Sequence, residues 1–506
     1  MNTKILLSLL LALTSISIAI AQNKKAEFFV TAYGAKGDGK TMNSQAIQSA
    51  IDALAAKGGG KLIVPEGRFL TGSIELKSGV ELHLQKNAVL LGSTNPFDYR
   101  KISHSKALIL ADGQTGISIT GSGTIDNRGR KLALHSDSLY YDGQMDVKYY
   151  NLRRKRPEEE YRPMIIHMFN CKNVTLKSFT LKDGASWIQS YDKCRNLSAD
   201  SLTVISDAYW NNDGFDISDC KNVRVTNCFV NTADDGICLK SGDKNDWNDS
   251  IYIANCTVRS SANAVKFGTG STGGFKNVTV ENIKVYDTFR SAIALETVDG
   301  GVLENIVVRN IVATNTGNGI FIRLGHRNTD ERYSVLRNVS IKNVKVEIPF
   351  DRPDKNYDLR GPDLPFFHNP FPCSITGIEG HYVENVSLEN IEITYPGRGN
   401  DGLAILPIYR LKDVPEQIAE YPEFSMFGEL PAWAFYVRHV KGLSMKNISV
   451  KAEAKDYRPA FVFDDVTDLN LDKIQIIEDD TDPQIILRNV SNTQLNVGKQ
   501  TVKTVN

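Results

Sequence analysis

The chain has 506 residues, with 59 basic and 59 acidic side chains and a formal net charge of zero. Such a balance supplies no cationic excess to neutralise phosphates, which excludes nucleic acid as the expected partner. The length is more than one ordinary hydrophobic core organises, but a solenoid growing in one dimension escapes that limit.

The N-terminus carries Lys4, an apolar run from Ile5 to Ile18, and the small-x-small exit Ala19-Ile20-Ala21 before Gln22. This predicts a secretory signal peptide over residues 1–21. The run is shorter than the roughly 20 residues of a spanning helix, and no cysteine follows it to carry a lipid. An exported chain is expected, periplasmic or extracellular, with no membrane contact after cleavage.

Residues 22–130 are predicted to form an N-terminal cap and the first coils. Within them Ala46, Ile47, Ala50, Ile51 and Leu54 fall at helical spacing, so a helix is expected from Ser44 to about Lys57, stopped by Gly58-Gly59-Gly60. Such a helix would cover the open apolar end of a solenoid.

From Asn173 one phrase recurs: an asparagine, then alternating apolar and polar positions. It starts at Asn173, Asn196, Asn222, Ser250, Asn277, Asn305, Asn338 and Asn385, in steps of roughly 23 to 33 residues until late insertions lengthen the last one. The two-residue alternation reads as strands. Short strands at this spacing without intervening helices predict an all-β, single-stranded right-handed parallel β-helix, one continuous domain over 131–500. Several of these asparagines fall in Asn-x-Ser/Thr sequons, which the repeat itself generates.

Seven cysteines leave at least one thiol unpaired. Cys171, Cys194 and Cys220 each precede a repeat asparagine by two positions, and Cys228 and Cys256 share a second register. Stacked thiols acting as small buried hydrophobes are expected, with disulfides in an oxidising compartment the alternative. Two insertions, at about 350–382 and 395–439, are rich in Pro, Gly and aromatics, among them Phe366, Phe367, Tyr409, Trp433 and Tyr436. They are expected either to wall a cleft with sugar-stacking rings or to cover a bare sheet face.

Carboxylates concentrate on consecutive coils: Asp213 in Trp210–Ile217, then Asp234 and Asp235 about one coil later. Crowded carboxylates raise one another's pKa, leaving a proton donor beside ionised partners. Glycoside hydrolysis needs that combination, an acid for the leaving oxygen and a base for water. A turn ladder or a calcium site would use the same residues.

Together these stretches resemble glycoside hydrolase family 28, the polygalacturonase and rhamnogalacturonase family, over nearly the whole chain after residue 21. Carrying the likeness are Tyr33–Thr41 (YGAKGDGKT), Gly121–Gly129 (GSGTIDNRG), Arg162-Pro163, Asn211-Asn212-Asp213 in place of the family's Asn-Thr-Asp, and Asp234-Asp235-Gly236. The resemblance implies inversion, with Asp234 as general acid, Asp213 and Asp235 activating water, and carboxyl groups roughly 6.5–9.5 Å apart. The chemistry of protonation and water activation requires no metal or organic cofactor, and a polysaccharide or oligosaccharide partner and a monomer are expected.

Two family motifs are altered. Asn263 stands where Gly-His-Gly has its histidine, and Ala294 and Glu296 stand where Arg-Ile-Lys has its cations. A uronate facing Glu296 would meet like charge. Glu296 is therefore expected to accept hydroxyls of a neutral sugar, or else to pair with Lys266. Lys240, Arg323 and His326, with neighbouring Arg327, are expected to bind an acidic group in a different subsite. Rhamnogalacturonan or a substituted pectic oligosaccharide fits this layout best. Homogalacturonan, attacked by a polygalacturonase or exo-polygalacturonosidase, is the alternative; a calcium-dependent lyase and a non-catalytic glycan-binding β-helix are the readings of other classes.

Overall fold

The computed structural model describes residues 26–355, 357, 371–399, 408–477 and 480–505. The expected signal peptide, Phe366 and Phe367 lie outside them.

Each coil contributes up to three short strands, and each strand pairs in parallel with its counterpart on the next coil. Lys172–Lys177 pairs with Arg195–Asp200, which pairs with Lys221–Thr226, which pairs with Asn248–Ala254. Phe215–Ser218, Ile237–Ser241 and Val265–Ser271 form a second stack the same way. The fold is the expected parallel β-helix.

The repeat phrase explains the register. Val174, Leu197, Val223, Ile251, Val278, Ile306, Val339 and Val386 stack coil upon coil at 2% exposure or less. A one-residue slip would turn this whole column outward, and each such burial contributes roughly 1.5–3 kcal/mol. The repeat asparagines adopt the left-handed backbone that Asn tolerates best among non-glycine residues. Their amides form a ladder: Asn196 donates to Asn173 at 2.9 Å and Asn222 to Asn196 at 2.8 Å.

The capping helix runs Ser44–Ala56 and buries Ile47, Ala50, Ile51 and Leu54 against the first coils. All seven cysteines are free and buried. A second helix, Gly129–Tyr141, and a small hairpin at Tyr150–Asn151 and Arg156–Pro157 project from the coils ahead of the carboxylates.

The second insertion covers the late coils. Leu411, Val414, Phe427 and Leu430 pack on Tyr436 and Val462. Trp433 and Tyr436, considered as cleft aromatics, are instead buried at 2% and 0% exposure: Trp433 packs into the main core edge-on to Tyr395, and Tyr436 lies under the insertion.

Candidate active site

Coil register assembles the carboxylates. Because Phe215 pairs with Ile237, Ile237 with Val265 and Val265 with Ile293, the residues two places earlier form one column: Asp213, Asp235, Asn263, Ser291. Asp234 belongs to the neighbouring column, followed by Ala262 and Arg290. Gly214 N–H donates to Asp235 O at 2.9 Å and Gly236 N–H to Asn263 O at 2.8 Å. A Cβ on Gly214 would lie 2.4 Å from Gly236 O, and one on Gly236 would lie 2.4 Å from Val258 Cγ1. The glycine after each carboxylate therefore lets the coils close up. One carboxylate oxygen from each of Asp213, Asp234 and Asp235 lies within 4.8 Å of the others.

Their environments differ. Burial opposes ionisation of Asp235, but Lys266 Nζ at 3.2 Å, then Lys240 and Arg290, overcome it. Asn263 adds two donors to Asp235 Oδ1, its N–H at 3.0 Å and its side-chain Nδ2 at 2.9 Å. The result holds Asp235 at about 2. Asp234, the most exposed of the three, is raised by burial and by the neighbouring Asp235 charge. Asp213 and Asp216 share one ammonium: Lys240 Nζ is 3.0 Å from Asp213 and bonds Asp216 as well. Burial raises both acids against the pull of Lys240. Two buried carboxyls on one cation favour a shared proton.

The other expected site residues divide. Lys240, Asn263 and Lys266 reach the carboxylates, where each balances or orients an aspartate. Glu296 does not reach the cleft: it has no exposed surface, and burial lifts it to about 8 against the opposing pull of Lys266, 3.9 Å away. Leu295 beside it points into the core, so Glu296 lies on the outer strand face, paired in register with Arg323 and without exposed surface to offer a sugar. Arg323 is also buried, donating to the carbonyls of Gly377, Glu416 and Gln417 at 2.9, 2.8 and 3.0 Å. It pins the second insertion rather than presenting a cation. His326 stacks on Tyr333 at 4.2 Å, and Arg327 pairs with Asp299 at 2.8 and 2.9 Å, both away from the carboxylates.

Residues not singled out in the sequence line the cleft instead. A cavity of about 580 Å³ around Asp234 is bordered by Arg154, Arg156, Trp210, Arg290, Tyr421 and Glu423. Arg290 N–H donates to Ala262 O at 2.9 Å, which places it two coils beyond Asp234 in the same column. It meets Glu423 at 3.3 Å, and Lys266 Nζ donates to the Tyr421 hydroxyl at 3.0 Å. Arg154 and Arg156 come from the hairpin that projects between the early coils and the carboxylate coils. Their basic run was legible; that it folds over the carboxylates was not. Arg162 and Asn212 secure the turn: Arg162 donates to Trp210 O at 3.0 Å, and Asn212 Nδ2 donates to Gly184 O and Ser186 O at 3.0 Å each. Asn212, standing for the family threonine, is thus fully engaged in the scaffold.

The protein is thus a parallel β-helix with three clustered carboxylates, one of them bordering a cleft lined by Arg154, Arg156 and Arg290. The sequence profile of glycosyl hydrolases family 28 matches residues 56–348, more than half of the chain, and the chain belongs to that family. An exo-poly-alpha-D-galacturonosidase of Dickeya chrysanthemi is 28% identical over 332 residues, which take in 56% of this chain and 55% of that protein. The chain spans about half the length of the curated relatives it matches. Among solved structures, the Yersinia enterocolitica family 28 exopolygalacturonase superposes with a TM-score of 0.65 at 20% identity, covering 94% of this chain and 79% of that one. An exopolygalacturonase from Thermotoga maritima gives a TM-score of 0.58 at 25% identity, covering 73% and 87%.

Proposed function

We propose that this protein hydrolyses glycosidic bonds in an acidic pectic polysaccharide, with a uronate residue held beside Asp234. The observation that carries this reading is the placement of Arg154, Arg156 and Arg290 in one cleft with Asp234, the exposed member of the three-carboxylate cluster. Planar guanidinium groups suit a carboxylate, and here they occupy the role that Ala294 and Glu296 leave open.

Asp234, raised and exposed to the cleft, protonates the leaving oxygen. Asp235, held ionised, takes a proton from the attacking water, while Lys240 keeps Asp213 and Asp216 in register beside it. No step calls for a metal or organic cofactor. Rhamnogalacturonan, alternating acidic and neutral sugars, is the preferred substrate. Relatives named polygalacturonase and the arginine lining favour homogalacturonan as the second reading. Tyr421 and Glu423, brought by the second insertion against Lys266 and Arg290, narrow one side of the cleft and favour attack at a chain end.

The test is hydrolysis of rhamnogalacturonan and homogalacturonan by wild type and Asp234→Asn, with product anomers followed by proton NMR in the first minutes. Inverted product, abolished by the substitution, is expected. No hydrolysis of either glycan, or release of unsaturated product, overturns the reading.

A further inference from the structure

A second cleft, of about 740 Å³, shares no lining residue with the one around Asp234. Lys240, bonded to Asp213 and bordering this cleft, links it to the carboxylates. Its charges are differently arranged. Lys193 is committed to Asp243 at 2.7 Å and Arg332 to Asp330 at 2.9 Å. Asp219 takes the Ser241 hydroxyl at 2.6 Å and two backbone amides.

Lys244 borders the cleft with no salt bridge among the described residues, and Asp192 is the lining carboxylate whose surroundings leave an oxygen open. Among the described residues no lysine or arginine pairs with Asp192; its Oδ2 accepts from His167 Nε2 at 2.7 Å and from the Ser190 hydroxyl at 3.3 Å, and His104 Nε2 stands 3.7 Å away. Its Oδ1 takes no protein donor among the described residues. His167 is fully buried beneath it. His104 comes from the turn of an antiparallel hairpin, Arg100–Ile102 with Ser105–Asp112, and meets His167 edge-on at 4.9 Å. Trp187, half-buried, borders the same cleft, with Lys240 Nζ 4.2 Å from its ring centre.

A carboxylate oriented by imidazoles, with one oxygen free and an indole in the same cleft, matches a sugar that offers hydroxyls and a C–H face. A uronate there would place its charge against Asp192. We propose that this cleft is a second sugar subsite for a neutral residue, with Asp192 accepting its hydroxyls and Trp187 supporting its ring. The assignment rests on reading Asp213, Asp234 and Asp235 as the hydrolytic centre, with which Lys240 makes the subsite continuous. It adds that the two sides of that centre select sugars of opposite character.

The experiment follows the imidazole NMR signals of His104 and His167 in the full chain during titration with L-rhamnose, D-galactose and D-galacturonate. The neutral sugars should shift both signals, and galacturonate at equal concentration should not. Asp192→Ala should abolish the shifts; Trp187→Ala, which leaves the buried His167–Asp192 pair intact, should weaken binding roughly tenfold. Equal shifts with galacturonate, no shift with any sugar, or binding that survives both substitutions overturns the subsite. Neutral-sugar binding without hydrolysis of any pectic glycan keeps the subsite and rejects the hydrolytic reading. Hydrolysis without such binding rejects the subsite alone.

Discussion

Lys266 Nζ lies 3.2 Å from Asp235 Oδ2, and the two residues come from successive coils. The ammonium is 1% exposed, so its charge acts through little solvent. Replacing Lys266 with Met should raise Asp235 from about 2 and move the acidic limb of kcat/KM to higher pH, because a base must be ionised to work. The pH–rate profile checks this, and an unmoved acidic limb would show that Asp235 is not the base.

Asp234→Asn removes the proposed proton donor. A fall in kcat of roughly 10²–10⁴ on a pectic chain is expected. Glycosides with activated aryl leaving groups need less protonation and should lose much less. Equal losses on both substrates would argue that Asp234 serves the fold instead.

Glu296 offers a stability test. Its folded pKa is about 8, above that of an unfolded glutamate, so the native state holds a proton the unfolded chain has released. Stability should decline as pH rises from about 4.5 to about 8 and then level off. Glu296→Gln should remove that decline, giving a variant more stable than wild type by a few kcal/mol at alkaline pH and little changed near pH ~5. KM should stay as it was, since Glu296 has no exposed surface. Denaturant melts at the two pH values are the measurement; a rise in KM instead would return Glu296 to the substrate site.

Arg290 and Arg323 separate a binding cation from a structural one. Arg290→Gln should raise KM for an acidic oligosaccharide about tenfold or more, and weaken the salt dependence of binding. Arg323→Ala should destabilise the fold by about 2–4 kcal/mol, and proteolysis should then cut first within residues 408–430. A KM effect from Arg323 without loss of stability would contradict its burial.

Local patterning determined much of this protein. The alternation after each repeat asparagine specified the strands, their stacking and the parallel β-helix. The apolar spacing from Ala46 to Leu54 specified the capping helix, and the Asp-Gly pairs marked where carboxylates meet. These features depend on neighbours in sequence and on one repeat length, and both are visible in the chain. Tertiary structure alone decided which charges face the cleft. Glu296 and Arg323 sit on strands whose outer face is covered by the second insertion, so residues that look like surface charges became buried ones. Arg154, Arg156 and Tyr421 are remote from Asp234 in sequence and reach it through excursions from the coils, whose direction no periodicity encodes. The site's carboxylates were therefore legible, while its cations depended on how long loops fold back over a regular scaffold.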